Sequence, residues 1–550
     1  MARRSAFLPG ETSRRPPASG RHGGRKNDML KRREESDGRV SPNGRRKTPV
    51  PGQEAGIGKA ATASEEASQL SLFSETADSP RGAKPGRNTG EPVVVAIPEV
   101  PKSEDASRVD PPAMTMKEVA SDINLMRAFE KVKENRGAPG PDGRNIAEVE
   151  KHLGEILRRL HRELLEGSYQ PGQVRRVWIP KGGGGQRGLG IPDVVDRMVQ
   201  QAVHQVMSPV YEPTFHGSSH GFRPGRSCHT AIDEAQEYLK SGATHVVDLD
   251  LEKFFDRVPH DRLMSRLSER VKDKGLLRLI RRMLEAKVVM PDGVVVATEE
   301  GTPQGGPLSP LLSNIVLDEL DQELERRGHR FVRYADDCNI YVGSERAGLR
   351  VMASVVRFIE AKLRLKVNQA KSAVARPEER HFLGFRLRKN GKTGQVDVLL
   401  SERTDQRLAE KIRELTPRNW GRSWTDCMTR INQYLSGWVQ FFGIASPVTE
   451  VKSTLRHQDA HIRRRLRAIK LKQWKRKRNI ARKLTQLGIR RRTAWRHVYD
   501  GHKSLWALSN SNPVNRALDS TFLAKQGLLS LLDLYEEHVI APAQMAFPLG

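Results

Sequence analysis

Two adjacent aspartates stand between short β-rich runs in FVRYADDCNIYV (331–342), and a chain can accommodate that pattern in few ways. The flanking apolar residues predict a hairpin with Asp336 and Asp337 at its tip. Upstream, THVVDLDLEKFF (244–255) begins as an alternating strand and ends in acids, and on a strand Asp248 and Asp250 share a face. Carboxylates about 4 Å apart repel by roughly 4 kcal/mol at an effective dielectric near 20. A half-buried acidic cluster therefore takes up protons or holds a cation. Magnesium, which binds carboxylate oxygens together with water and phosphate, suits such a cluster. A pair of aspartates alone is an ordinary polar turn; a second acidic strand beside it turns the pattern towards metal-assisted phosphoryl chemistry.

Charge points to the substrate class. Lys and Arg number 94 against 66 Asp and Glu, giving +28 and a pI near 10.2, an attractive field for phosphate backbones. The excess is concentrated: residues 451–500 hold 18 Lys and Arg against 2 acids, whereas 401–450 hold 7 against 6. A solvated basic face is the plain alternative. The 550 residues imply two to four domains. No run approaches 18 apolar residues, so no membrane span is expected. Nor does an apolar core follow the N-terminal arginines, as a secretion signal requires. The three scattered cysteines (Cys228, Cys338, Cys427) exclude a disulfide framework and suit a reduced cytoplasmic setting.

Residues 1–112, rich in Arg, Pro, Gly and Ser, read as disordered apart from the short apolar runs Leu70–Phe73 and Val93–Ile97. A first helix is expected around Ile123, Met126, Ala128 and Val132, ending at GAPGPDG (137–143). A second carries Ile156, Leu157, Leu160, Leu164 and Leu165. Strands and helices then alternate to about 390, and the remainder reads as helical with basic faces.

YADD (334–337) with DLDLEKFFD upstream resembles the catalytic centre of reverse transcriptases. Between them, GTPQGGPLSPLLSNIVLDELD (301–321) is similar to that family's PQG block. VWIPKGGGGQRGLGIPDVVDRMVQQAV (177–203) is similar to its fingers block, HGFRPGRSCHTAI (220–232) to the block that follows, and HFLGF (381–385) to its primer-grip hairpin. GAPGPDG further resembles the group II intron branch, and YLSGWVQFFGIA (434–445) the thumb, or domain X, of its maturases.

The resemblance implies an RNA-directed DNA polymerase with two Mg2+ ions, for which Mn2+ can substitute. Asp250, Asp336 and Asp337 would be catalytic carboxylates, and Leu251 would lend its backbone carbonyl to a metal. Phe255 would be an aromatic gate that leaves no room for a 2′-hydroxyl. Lys181 and Arg187 would hold the triphosphate, Gln304 would lie against the nucleotide, and Lys371 would protonate pyrophosphate. Gly188, where the family more often has proline, is expected to loosen its loop. Phe382, Leu383 and Gly384 would form the primer grip. Arg463, Arg464, Arg467, Lys475 and Arg476 would contact nucleic acid.

The fold implied is α+β: a right-hand polymerase of fingers and palm, an α-helical thumb and a small basic C-terminal domain. The expected divisions are a disordered extension (1–112), fingers and palm (113–390), domain X (391–455) and a basic maturase or DNA-binding region (456–550). The function implied is maturation of the intron's own RNA and target-primed reverse transcription. Its partners would be group II intron RNA, target DNA and deoxynucleoside triphosphates, with no membrane, and a homodimer is admitted. The location would be the bacterial cytoplasm, with nucleoid association when bound to DNA. No cysteine- and histidine-built endonuclease follows Tyr535, so second-strand cleavage is not expected. Two alternatives stay open: a reverse transcriptase of a non-intron bacterial system, and a splicing-only maturase.

Overall fold

The computed structural model describes residues 113–180, 185–417, 421, 423–501 and 504–545. The expected disordered extension and Lys181 lie outside these residues. Helix α1 (Asp122–Glu134) starts at Ser121, whose hydroxyl accepts from the Asn124 N–H. It buries Leu125, Ala128, Phe129 and Val132, while Ile123 and Met126 face solvent. The buried stripe is thus rotated from the expected one, because Phe129 and Leu125 supply the larger apolar surface. Helix α2 (Leu153–Glu166) buries Ile156, Leu157, Leu160 and Leu164, leaves Leu165 exposed, and ends at the left-handed Gly167.

Strands β1 (Val174–Pro180) and β2 (Gln186–Ile191) form an antiparallel hairpin, followed by α3 (Val194–Tyr211). The GAPGPDG turn docks on the start of α3: Arg197 donates to Ala138 O (2.7 Å), and the Asp142 N–H donates to Asp193 (3.0 Å). Next come α4 (Cys228–Lys240), β3 (His245–Leu249), α5 (His260–Arg270) and α6 (Lys274–Leu284). The short strands β4 (Val288–Val289) and β5 (Val295–Val296) extend the first sheet in the order β2-β1-β4-β5. Helix α7 (Ser309–Arg326) leads into the hairpin β6 (Arg330–Tyr334) and β7 (Asp337–Val342). After α8 (Glu345–Phe358), β8 (Ala373–Ala375) completes a central sheet ordered β6-β7-β3-β8, antiparallel throughout.

A second hairpin, β9 (Phe385–Lys389) and β10 (Val396–Leu400), precedes the helical half. That half comprises α9 (Glu402–Leu415), α10 (Trp424–Phe442), α11 (Val448–Gln473), α12 (Lys477–Gln486), α13 (Arg491–Tyr499) and α14 (Leu531–Met545). No described helix is long and apolar enough to cross a membrane.

Alternation along the central strands sorts side chains onto two cores. Val247, Leu249, Phe331 and Ile340 join α1–α3 and α5–α7 in one. Val246, Val332 and Tyr341 join α4, the β9–β10 hairpin, α9–α11 and α14 in the other. A third, smaller core holds α12, α13 and the short helix Asn512–Ala517 against Leu471 of α11. Helix α11 runs unbroken across residues 455 and 456, and the change of core falls at its C-terminal end.

One polar residue on the edge strand β6 is completely enclosed. Arg333 is wholly buried, and all five of its N–H donors are used. Nε and Nη2 grip the two Asp321 carboxylate oxygens (2.7 and 2.5 Å). Nη1 reaches Asn314 Oδ1 (3.1 Å) and Ala335 O (2.9 Å), and Nη2 reaches Ser219 Oγ (2.7 Å). Asp321→Ala would strand a buried guanidinium and is expected to lower unfolding stability by about 3–5 kcal/mol. Urea denaturation of wild type and variant measures this; a loss under about 1 kcal/mol would show that the pair does not brace the sheet.

Candidate active site

The last pair of the β6–β7 ladder is Tyr334 with Asp337, so Ala335 and Asp336 alone form the turn. Ala335 takes φ 54°, a conformation costing a residue with a Cβ about 1–2 kcal/mol. Arg333 holds its carbonyl, and the Gly221 backbone closes over the turn: a Cβ on Gly221 would lie 2.2 Å from Ala335 N. The strained turn sets Asp336 and Asp337 side by side at the end of the sheet, next to the end of β3.

Asp250 follows β3 and is fixed by its backbone: its N–H donates to Ser372 Oγ (3.0 Å), and its carbonyl accepts from the Asn368 N–H (2.8 Å). Its carboxylate meets Lys371 Nζ at 3.0 Å. Leu251 faces Val367 as a pair without mutual backbone hydrogen bonds, so its carbonyl points away from that segment, towards the β7 side. Asp248 is engaged differently, because Arg380 donates to it through Nε and Nη2 (2.8 and 2.6 Å).

Asp337 reaches solvent through the cleft, yet protein surrounds most of its carboxyl. Burial, then the charges of Asp336, Asp250 and Asp248, push its pKa up to about 7. Burial and Asp250 also raise Asp336, against the pull of Arg187 and Lys371. Arg187 on β2 thus acts on Asp336. Three carboxylates and a backbone carbonyl are a hard-oxygen donor set with excess negative charge, which fits a divalent cation. As they stand, no three acid, His or Cys side chains among the described residues converge on one metal position, since Asp250 is turned towards Lys371.

The residues expected around the nucleotide are tied together by backbone. Phe255 is half-buried, edge-on to Phe254 at 5.3 Å, and its carbonyl accepts from the Thr302 N–H (2.6 Å). Gly301 passes so close that a Cβ would lie 2.8 Å from Phe255 O. Gln304 O accepts from the Gly190 N–H (2.7 Å), which fastens the 301–304 loop to the hairpin carrying Arg187. Gly188 does not loosen that hairpin: it pairs in register with Trp178 and leaves room for Arg176, which donates to its carbonyl (3.1 Å). Phe382 and Phe385 exchange backbone hydrogen bonds around a tight turn in which Leu383 and Gly384 take φ 53° and 89°. The Gly384 carbonyl is held by Ser401 and Thr404 of the helical half.

The family model for reverse transcriptase (RNA-dependent DNA polymerase) matches residues 179–387, and that for the group II intron maturase-specific domain matches 406–488. Protein YkfC of Escherichia coli is 35% identical over 301 residues, covering 48% of this chain and 79% of YkfC. The group II intron-encoded protein LtrA of Lactococcus lactis is 28% identical over 305 residues, 43% of this chain and 51% of LtrA. The chain belongs to the group II intron reverse transcriptase/maturase family. It thus spans about half the length of LtrA. A solved structure, a partial Cas6-RT-Cas1–Cas2 complex, superposes loosely, with a TM-score of 0.30 at 25% identity over 44% of this chain and 42% of that one.

In this reverse transcriptase the basic residues expected to meet nucleic acid divide into two groups. Arg467 is buried, with Nε donating to Leu518 O (2.8 Å) and Nη1 to Asn515 Oδ1 (2.6 Å). It therefore joins α11 to the segment after α13 and is not available to phosphate, which corrects its expected role. Arg463 is half-buried, and Arg464 stacks on Trp506 at 4.1 Å. Lys475 and Arg476 are exposed at the α11–α12 junction, where Lys475 takes φ 60°. Arg333, Asp321, Arg380 and Ser372 escaped the sequence reading. An arginine inside the apolar run FVRY was the available signal for the first of them.

The raised Asp337 pKa has a signed consequence. Its native carboxyl holds a proton that the unfolded chain releases, so the penalty is full above about pH 7 and vanishes below about pH 4. In divalent-free buffer Asp337→Asn should raise the denaturation midpoint at pH 8 and leave it unmoved near pH 4. An equal gain at both pH values would show that the electrostatic cause is wrong.

Proposed function

We propose that this reverse transcriptase has the right-hand architecture of a group II intron-encoded protein and copies RNA into DNA at Asp250, Asp336 and Asp337. The observation that carries the reading is the braced β6–β7 turn, which presents two carboxylates beside Asp250 with Arg187 acting on Asp336. Together with the Leu251 carbonyl, these carboxylates would hold two Mg2+ ions, or Mn2+ in their place. When bound, such ions neutralise the acids and polarise the primer 3′-hydroxyl and the phosphate that it attacks.

The chain's own residues orient the rest. Arg187, with Lys181, receives the triphosphate as a fork and a point charge. Phe255, fixed through its carbonyl to the 301–304 loop, walls off the sugar so that a 2′-hydroxyl has no space, and Gln304 lines the same wall. Lys371 sits at the rim of the acid cluster as a proton donor for the departing pyrophosphate. The Phe382–Gly384 turn, pinned to α9 through Thr404, sets the primer end relative to the sheet.

The helical half binds the intron RNA, helps it fold and splice, and holds it while target DNA primes copying. The maturase-specific match and the exposed cations from Lys475 onward support this reading.

Asp336→Ala with Asp337→Ala is expected to abolish primer extension while RNA affinity stays within about twofold, because the phosphate contacts lie elsewhere. Extension above trace level by the double variant would remove these residues from the chemistry. Phe255→Val should raise ribonucleotide incorporation relative to deoxynucleotide, by roughly tenfold for each 1.4 kcal/mol of relieved exclusion. Single-nucleotide extension with each sugar measures the ratio; an unmoved ratio would make Phe255 a packing residue.

A further inference from the structure

The outer face of α13 carries an arrangement that polymerisation does not use. Arg492, Trp495, Arg496 and Tyr499 fall at i, i+3, i+4 and i+7 and so share one side of the helix. Ala494 and Val498, on the other side, are sealed into the third core. A helix face turned to water ordinarily carries polar chains, but this one interleaves two guanidinium groups with two aromatic rings. The Trp495 and Tyr499 rings are parallel to within 1°, with centroids 5.5 Å apart. Trp495 is half-buried against the third core, while Tyr499 is 49% exposed at the helix end. Lys477 of α12 brings its Nζ to 5.8 Å from the Tyr499 ring. No Asp or Glu occurs between Asp459 and Asp500, which directly follows Tyr499.

We propose that the Trp495–Tyr499 pair is a platform on which an unpaired base of an RNA stacks, with Arg492, Arg496 and Lys477 receiving the flanking phosphates. The inference rests on the reading that the helical half binds RNA and deepens it by naming the ligand. A phosphate surface needs cations and gains nothing from exposed rings. Rings gain only where a base offers its face, and a duplex hides base faces in its stack. RNA loops and bulges present unpaired bases, and the platform is built on α11 and α12, both within the maturase-specific match. Helix α13 itself begins beyond that match. The order is built in: Trp495 is anchored by packing, Tyr499 is aligned on it, and Lys477 stands over the Tyr499 ring.

The test uses the full chain with its cleft occupied by an unlabelled primer–template hairpin. The probe is a single-stranded oligoribonucleotide of about 12 nucleotides carrying 2-aminopurine. Its duplex and its deoxy counterpart serve as comparisons. Tyr499→Ala should weaken single-strand binding roughly tenfold and remove the stacking quench of 2-aminopurine, with the dependence of affinity on salt unchanged. Tyr499→Phe, which keeps the ring, should restore both. Arg492→Ala with Arg496→Ala should instead flatten the salt dependence, by roughly 0.7 in log–log slope per lost contact. An unchanged affinity and quench in Tyr499→Ala would overturn the platform, as would an equal loss on duplex. A loss as large on the deoxy strand would overturn the assignment to RNA. If the arginine variants still flatten the slope, only the stacking proposal falls; if they do not, the RNA-binding reading of this surface falls with it.

Discussion

The buried pair of Arg333 and Asp321 is the constraint on which the catalytic geometry rests. A guanidinium wholly removed from water is tolerable only when every donor is met, and meeting five donors requires three segments to arrive together. Asp321 and Asn314 come from α7, Ser219 from the loop along β6, and Ala335 O from the turn itself. Asn314 in turn donates to Gly221 O (2.9 Å), whose backbone lies over the turn. The strained Ala335 is thus held from both sides, and the two aspartates after it inherit a fixed position. A turn stabilised only by its own two residues would relax out of the left-handed conformation.

That brace makes the electrostatics of the cleft legible residue by residue. Four aspartates converge, but their neighbours differ. Asp248 takes two hydrogen bonds from Arg380, so its charge is answered inside the protein. Asp250 meets Lys371, whose side chain is 62% exposed, and an exposed lysine holds a carboxylate weakly. Asp336 and Asp337 have only distant cations, and their carboxyls rise accordingly. The protein therefore satisfies the acid that anchors the strand and leaves undercompensated those that face the cleft. Such a gradient cannot serve stability, because raised carboxyls oppose folding at neutral pH; it is intelligible as a site prepared for positive charge from outside.

Much of this was legible in the sequence, and the limits have physical reasons. The tip of the hairpin follows from the short β-rich runs on both sides of the acids, and the β6–β7 register puts the turn between them. Helix α1 was readable as a helix but not as a face, since Ile123 and Met126 satisfy the same 3.6-residue period as Leu125 and Phe129. Only tertiary packing chooses between such stripes. Arg467 shows the converse: in a run of arginines, spacing does not reveal which guanidinium turns inward to cap backbone carbonyls. Gly188 looked like a weak point because a glycine in isolation means freedom. Its meaning comes from Arg176 on the neighbouring strand, which occupies the space a side chain would need.

The sharing of cores explains how two functions coexist in one chain. The back of the central sheet, α4 and the helices α9–α11 pack into a single apolar cluster, so the segment after the polymerase blocks is not a tethered appendage. The Phe385 ring lies 6.1 and 5.3 Å, centroid to centroid, from Phe441 and Phe442 of α10, which couples the β9–β10 hairpin directly to the helical half. The buried charges of that half tie its own helices together: Arg465 donates to Thr416 O (2.6 Å), and Asp459 accepts from the Leu531 N–H (2.9 Å). Only past Leu471 does a new core begin, and from there the cations turn outward. The cations from Lys475 onward lie beyond the core shared with the sheet that carries the aspartates. Charge placed on the outlying module leaves that sheet undisturbed, so a nucleic-acid surface can be strongly basic without altering the balance at Asp336 and Asp337.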